Sequence, residues 1–332
     1  MNLQKSFPIS YRYGTVDPAR MHVVSMISNP VRFSSRYQLW VEFNERMKTA
    51  GVNLWTAELQ LGSRPFVITD ANNCRHIQLR GKDELWAKEN CLNVLVRHLP
   101  DDWEYVAWVD ADVEFVGWKN PGDWVSEAID MLQVYQVIQL WQTATDLGPN
   151  GEALQTHQSF MSRYIAEGAM HPESAYHEWH PGFAWACTRE AWDGMGGLLD
   201  FGVAGAGDRH MALAFVGQAS LSYHPGAPKA YKRAILDWQR RQLPAIRKDV
   251  GYMKGHIIHY WHGKKKDRRY WDRWQILNET DFNPHLDLVP NYQGVYELSM
   301  RGTHEDDFEK SIRLRDLLRH YFRCRNEDSI DL

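Results

Sequence analysis

Cysteine is scarce and dispersed: the four in the chain, Cys74, Cys91, Cys187 and Cys324, form no Cys-x-x-Cys pair. That spacing argues against a thiolate zinc site or a disulfide framework and suits a reducing compartment. Long apolar runs are missing as well. None approaches the roughly 18 residues of a membrane span, so no spanning segment is expected. The opening MNLQKSFPIS lacks a basic stretch followed by an apolar one, and no signal peptide is expected there. Repeats and low-complexity tracts are absent. With 44% hydrophobic and 24% charged residues, long disorder, collagen-like and coiled-coil architectures are excluded. A chain of 332 residues can bury about three quarters of its unfolded surface, so folding alone demands no metal.

Two compositional features are present instead. Tryptophan is abundant, at 15 residues; its flat amphipathic ring suits stacking on sugars or bases, or simply a core. The near-neutral net charge of −4 hides an asymmetry. Between Lys229 and Arg273 there are 14 Lys/Arg and four Asp, net +10, which leaves the rest of the chain at −14. Such a stretch points to an anionic ligand, or to a solvated helix face.

Along the chain, Met21–Ser28 (MHVVSMIS) reads as a strand closed by the Asn29-Pro30 turn. Ser34 or Ser35 can cap a helix reaching about Met47, with Tyr37, Trp40, Val41, Asn44 and Met47 at helical spacing. Val52–Leu61 and Phe66–Thr69 read as strands. Asp83-Glu84 suits a helix first turn, followed by the stripe Leu85, Leu92, Leu95 and Leu99. Glu104–Val109 reads as a buried strand. This alternation predicts an α/β fold with an open sheet. Glu305–Phe322 predicts a C-terminal amphipathic helix with Phe308, Ile312, Leu317, Leu318 and Tyr321 on its apolar side.

Three constellations carry chemistry. Asp110-Ala111-Asp112 follows the apolar EYVAWV, at the carboxyl end of a strand, where open α/β sheets bind ligands. In an extended segment both carboxylates face one crevice, and Mg2+ or Mn2+ would relieve their repulsion; a solvent-facing turn or a helix cap is the alternative. The second is His256-Ile-Ile-His259-Tyr-Trp-His262-Gly263 followed by three lysines. Read as a strand, His256 and His262 share a face and His259 points the other way. One histidine with the aspartates suits a Mg/Mn site better than zinc does. Gly263 would let backbone approach a phosphate, which Lys264 and its neighbours could balance. In the third, Gly205-Ala206-Gly207-Asp208 opens a helix, with Asp208 either its cap or a general base. It does not match the dinucleotide fingerprint, which rules out a Rossmann oxidoreductase.

Together these motifs resemble a GT-A-fold, nucleotide-sugar-dependent glycosyltransferase of galactosyltransferase-like, phage or bacterial type, over about residues 21 to 290. Trp108-Val-Asp110-Ala-Asp112 matches that family's DxD. Gly196-Gly-Leu-Leu-Asp200 with Gly205–Asp208 resembles its acceptor segment. His259-Tyr-Trp-His262-Gly263-Lys264 resembles the late strand whose histidine completes the metal site. Leu85-Trp-Ala-Lys88-Glu-Asn90 through Asn93 is similar to a helix of phage and bacterial members.

The resemblance implies a mixed sheet with a Rossmann-like nucleotide half at about 21–115 and an acceptor half at 116–290, with a helical extension over 291–332. It implies Mn2+ or Mg2+ on Asp110, Asp112 and His259 or His262, and Asp208 as catalytic base of an inverting transfer. The donor, a UDP-sugar, would meet Ser28, Asn29, Arg36, Lys88, Asn93, Asp110, Gly263 and Lys264. Trp185 and Gly207, with Trp179 and His180 upstream, would shape the acceptor side. The acceptor is a saccharide or lipopolysaccharide, the default for the family, or a hydroxymethylated pyrimidine in DNA, which the basic 229–273 stretch and the aromatics in KKKDRRYWDRW (264–274) make credible. The expected location is the cytoplasm of a bacterium or phage-infected host. A non-catalytic sugar- or nucleic-acid-binding protein and a metallohydrolase on the same residues are the alternatives.

Overall fold

The computed structural model describes residues 17–170, 179–270, 272–300 and 305–332; the N-terminal decapeptide and Trp271 lie outside the described residues. Strands β1 (Met21–Ser28), β2 (Asn53–Leu61), β3 (His76–Gly81) and β4 (Tyr105–Val109) come first, with helices α1 (Ser34–Thr49) and α2 (Lys88–Val96) between them. Then follow β5 (Val113–Val116), α3 (Asp123–Leu132), β6 (Val137–Gln139), β7 (Thr143–Leu147), β8 (Ala153–Ser159) and α4 (Phe160–Glu167). Next are β9 (Trp179–His180), β10 (Ala184–Thr188), α5 (Arg189–Met195), α6 (Gly207–Phe215) and α7 (Lys229–Ile246). The chain continues through β11 (Val250–Tyr252), β12 (His256–His259), α8 (Arg273–Glu279) and α9 (Pro284–Asp287). A hairpin of β13 (Leu288–Pro290) and β14 (Tyr296–Leu298) leads to α10 (Glu305–Cys324).

The α/β architecture with an open mixed sheet and a C-terminal helix is as the sequence predicts. The main sheet runs β11-β6-β10-β4-β1-β2-β3, with β10 antiparallel to both its neighbours and the other pairs parallel. Helices cover both faces. All five residues of β4 are buried, because alternate side chains enter different layers. Val106 and Trp108 join the cluster packed by α2, α5, α6 and α7. Tyr105, Ala107 and Val109 join the one packed by α1 and α3. A second sheet, β5-β12-β7-β8-β9, begins where the first delivers β4. Asp110-Ala111-Asp112 is thus the turn by which the chain leaves one sheet and enters the other.

Several local expectations are corrected. Phe66–Thr69 is a loop, because the buried Glu58 carboxylate accepts hydrogen bonds from the Val67, Ile68 and Thr69 amides (2.7–3.0 Å) and removes them from ladder pairing. Asp83 and Glu84 precede α2 rather than forming its first turn. Asp83 accepts from the Leu298 amide (2.8 Å), and Glu84 pairs with Arg319 and Arg323 of α10. Neither serine caps α1; its first amides, Ser34 and Ser35, donate to the Asp328 carboxylate at 3.0 and 2.8 Å. On α1, Phe43 is buried and Val41 exposed. On α10 the buried seam is Ser311, Leu314, Leu318, Tyr321 and Phe322, whereas Phe308 is exposed. Among the described residues, no helix is long and apolar enough to cross a membrane.

Candidate active site

The carboxyl end of β4 opens into a cavity of about 170 Å3, and residues from distant parts of the chain converge on it. Asp110 is fixed by its own backbone: its amide donates to the Phe183 carbonyl (2.8 Å). Phe183 holds a left-handed φ of 74° there, a conformation that costs energy for a non-glycine residue and recurs at functional sites. The Ser25 hydroxyl donates to the Val109 carbonyl at 2.8 Å, and the Tyr260 amide donates to the Asp112 carbonyl at 2.9 Å.

Asp110 and Asp112 both line this cavity, but they leave a turn rather than an extended strand, and their carboxylates take different partners. Asp110 pairs with Lys88 (2.6 Å). Asp112 faces two imidazoles, with His262 Nε2 at 3.1 Å and His259 Nε2 at 3.9 Å. Both histidines therefore converge on one carboxylate, although strand spacing placed His259 on the opposite face. β12 ends at His259, and the loop beyond it brings His262 back. His256 is elsewhere, with Nδ1 2.8 Å from the Thr143 hydroxyl.

The ligand atoms of Asp112, His259 and His262 lie within 4.8 Å of one another. Asp112 Oδ1 and His262 Nδ1 are buried without a hydrogen-bond partner among the described residues. One oxygen and two imidazole nitrogens fit a divalent ion such as manganese, and Asp110 stands outside the cluster. Burial pushes the Asp112 carboxyl up, but the His262 hydrogen bond and the charges of His262 and His259 hold it well below the usual range. Burial depresses His259 despite its bond to Asp146 and the nearby carboxylates, which favours the neutral form that ligates.

Behind this cluster Asp146 of β7 receives His259 Nδ1 at 2.8 Å, His157 Nε2 at 2.6 Å and Lys265 Nζ at 2.5 Å. The first contact leaves His259 Nε2 for Asp112. Nothing in the residues around Asp146 marks it; only the pairing of β7 with β12, Asp146 opposite His259, brings the two together.

Across the cavity stands the second acidic group. Asp208, in the first turn of α6, is 3.3 Å from Lys88, which thus bridges Asp110 and Asp208. Burial lowers the Lys88 ammonium, but Asp110 and Asp208 outweigh it and raise it. Asp110, desolvated yet paired with Lys88, is raised to about 6. Beneath them Glu89 is buried, with no hydrogen bond to either carboxylate oxygen. Burial and the nearby Asp208 push it up to about 8. Gly207 is forced by this residue, since a Cβ there would lie 2.5 Å from Glu89 Oε1.

Other expected residues have a plain structural position. Ser28, Asn29 and Arg36 line the cavity. Asn29 is engaged in its own turn, donating to the Phe33 carbonyl and accepting from the Phe33 amide. Arg36 pairs with Glu327 at 2.9 Å. Asn93 faces away from the cavity; its amide brackets Leu198 and Asp200. Trp185 is a core residue, stacked on Trp108 with Nε1 donating to the Pro181 carbonyl (2.7 Å). Trp179 is buried beside Phe160. Gly263 allows a close approach, but of the chain itself: a Cβ there would lie 2.9 Å from the Asn326 carbonyl. Lys264 precedes a short 3-10 turn and borders none of the cavities described here. The basic stretch is divided, with α7 packing against α5 and α6; of its described lysines and arginines, Arg268 and Arg273 reach this cavity, beside Tyr270 and the two histidines.

The C-terminal tail supplies residues that no motif announced. Glu327 is buried at the cavity wall, paired with Arg325 and Arg36 and 3.7 Å from His262 Nδ1. Arg325 lies over the Trp86 ring (4.9 Å to the centroid), which stacks on Phe322.

No protein family and no curated protein matches the chain. Solved structures do. A Drosophila β-1,4-galactosyltransferase 7 variant, in complex with manganese, UDP-Gal and xylobiose, matches at 14% identity and TM-score 0.30 over 58% of this chain and 59% of that one. A Desulfovibrio desulfuricans protein, provisionally named a nucleotide-diphospho-sugar transferase, matches at 10% identity and TM-score 0.28 over 91% and 98%. Staphylococcus aureus TarS matches at 11% identity and TM-score 0.33 over 93% and 88%. The matched part spans less than two thirds of the galactosyltransferase chain, and at such scores the chemistry of this site rests on its own residues.

Proposed function

We propose that the protein is a metal-dependent glycosyltransferase that moves a sugar from a nucleoside diphosphate, UDP, to a hydroxyl acceptor with inversion. One observation carries this reading. Three groups able to hold a divalent ion (Asp112, His259, His262) and a separate carboxylate (Asp208) line one cavity, with Lys88 paired to both Asp110 and Asp208. That is the division of labour a displacement at a sugar carbon needs: positive charge where the diphosphate leaves and a base where the nucleophile arrives.

Asp112, His259 and His262 would hold the ion, manganese or magnesium, which when bound supplies Lewis-acid stabilisation of the departing diphosphate. Lys88 sets its ammonium against both Asp110 and Asp208. Arg36, Arg268 and Arg273 add positive charge along the cavity. An Asp208 oxygen takes the acceptor hydroxyl's proton while the acceptor oxygen bonds to the anomeric carbon and the bond to the diphosphate oxygen breaks. The nucleoside end is assigned to the mouth formed by Ser28, Asn29 and Arg36 at the carboxyl end of β1. A metallohydrolase would release the sugar without an acceptor.

Thermal unfolding with manganese, UDP, and both together tests the reading. Ligand at 100 times its dissociation constant stabilises by about 2.7 kcal/mol. A Tm rise that needs both ligands and vanishes in Asp112→Ala is the expected result. No shift with any nucleotide would overturn it.

A further inference from the structure

The segment from Lys265 to Arg273 is only partly used by the donor site, and it walls a second cavity of about 340 Å3. The geometry points to this cavity as the acceptor subsite, built for a saccharide or polyol unit that carries a phosphate or carboxylate. The inference rests on the glycosyltransferase reading and names its acceptor class.

The two cavities share a wall. His180 and Phe183 line both and stack on each other with ring centroids 3.9 Å apart. His180 is kept neutral, because burial and the neighbouring His157 and His259 hold it well below its ordinary value. A flat uncharged ring pair of this kind suits the face of a sugar. The wall is also adjacent to the base: a Cβ on Gly182 would lie 3.0 Å from Asp208 Oδ2 and 3.1 Å from His180 Cε1. A hydroxyl presented beside the His180 ring therefore lies near the Asp208 carboxylate, at its Oδ2 oxygen.

Charge then selects the occupant. Lys265, Lys266, Arg268 and Arg269 line the second cavity against Asp146 and Asp272. Asp146 is already engaged by His259, His157 and Lys265, so the excess is positive. Tyr270 lines both cavities and a third of about 270 Å3, where Arg209 and Arg273 continue the positive rim. A neutral acceptor offers such a rim only hydroxyl oxygens, whereas a phosphate or carboxylate adds an opposite charge and stronger hydrogen bonds. Each recess is of a size for a single unit, which favours a small anionic group over a nucleic-acid strand.

The test uses the full chain with manganese and UDP bound. Calorimetric titration compares galactose, galactose 6-phosphate and galacturonic acid, with a single-stranded oligonucleotide as a fourth probe. At least one of the two charged sugars should bind roughly tenfold or more tightly than galactose, and which of them does tells phosphate from carboxylate. The exposed-site variants Lys266→Ala and Arg269→Asn should erase that advantage while UDP–manganese affinity stays unchanged. Equal binding of neutral and charged sugars, tighter binding of the oligonucleotide, or no effect of the two variants would overturn the inference with the donor reading intact. Failure of UDP and manganese to bind the unmutated chain would instead overturn the parent reading, and this inference with it.

Discussion

Asp146 holds His259 by its far nitrogen: Oδ1 lies 2.8 Å from Nδ1, so the imidazole presents Nε2 to Asp112. A carboxylate behind a ligating histidine fixes its tautomer and raises its basicity. Asp146→Asn should therefore weaken manganese binding by roughly 10- to 100-fold, read as free Mn2+ by electron paramagnetic resonance. UDP affinity at saturating manganese should not change. Unaltered manganese affinity would reduce Asp146 to a packing role.

Asp208 should separate binding from turnover. Asp208→Asn keeps the shape of the α6 first turn and removes the proton acceptor. Transfer should fall by roughly 100-fold or more, while UDP and manganese still stabilise the variant in thermal unfolding. Residual transfer near the original rate would place the base elsewhere.

Glu89 makes stability depend on pH. Its carboxyl moves from an ordinary 4.5 to about 8 in the folded protein, through burial and the nearby Asp208. Below about pH 4.5 both folded and unfolded chains hold the proton. As pH rises toward 8 the unfolded chain releases it first, so the folded state loses stability across that window and the loss levels off above it. Glu89→Gln lacks this term, and its stability relative to the unmutated protein should rise between pH 5 and 8, by at most roughly 5 kcal/mol. Urea unfolding at several pH values reads the difference; a constant offset would show that Glu89 does not titrate there.

The cap on α1 can be tested by itself. Asp328→Ala leaves the Ser34 and Ser35 amides without their carboxylate acceptor and should cost about 1 kcal/mol, seen in urea unfolding. Asp331→Ala, farther along the same exposed tail, should cost nothing measurable.

The strands and acidic motifs were readable because they are local. Five apolar residues, Tyr105–Val109, followed by Asp110-Ala-Asp112 mark a strand end, and the two glycines before Asp208 mark a tight turn into a helix. What failed were directions and long-range partners. Strand periodicity separated His259 from His262, yet β12 stops at His259 and the loop reunites them on Asp112. Gly263 was read as room for a phosphate, but the tail backbone occupies that space. Glu327, Arg325 and Asp146 carry no local signature. Each has a partner at least a hundred residues away: His259 for Asp146, Arg36 for Glu327 and the Trp86 ring for Arg325.

The tether between Asp328 and the start of α1 joins positions 294 residues apart, and Glu327 closes the same cavity from the same tail. During synthesis the β1–α1 mouth emerges early but stays open until residue 328 has left the ribosome. Closure with so large a sequence separation is a slow kind of step. Nascent chains should thus pair β1 with β2 well before the Asp328 carboxylate reaches the Ser34 and Ser35 amides, so that this wall of the cavity forms after the strands behind it.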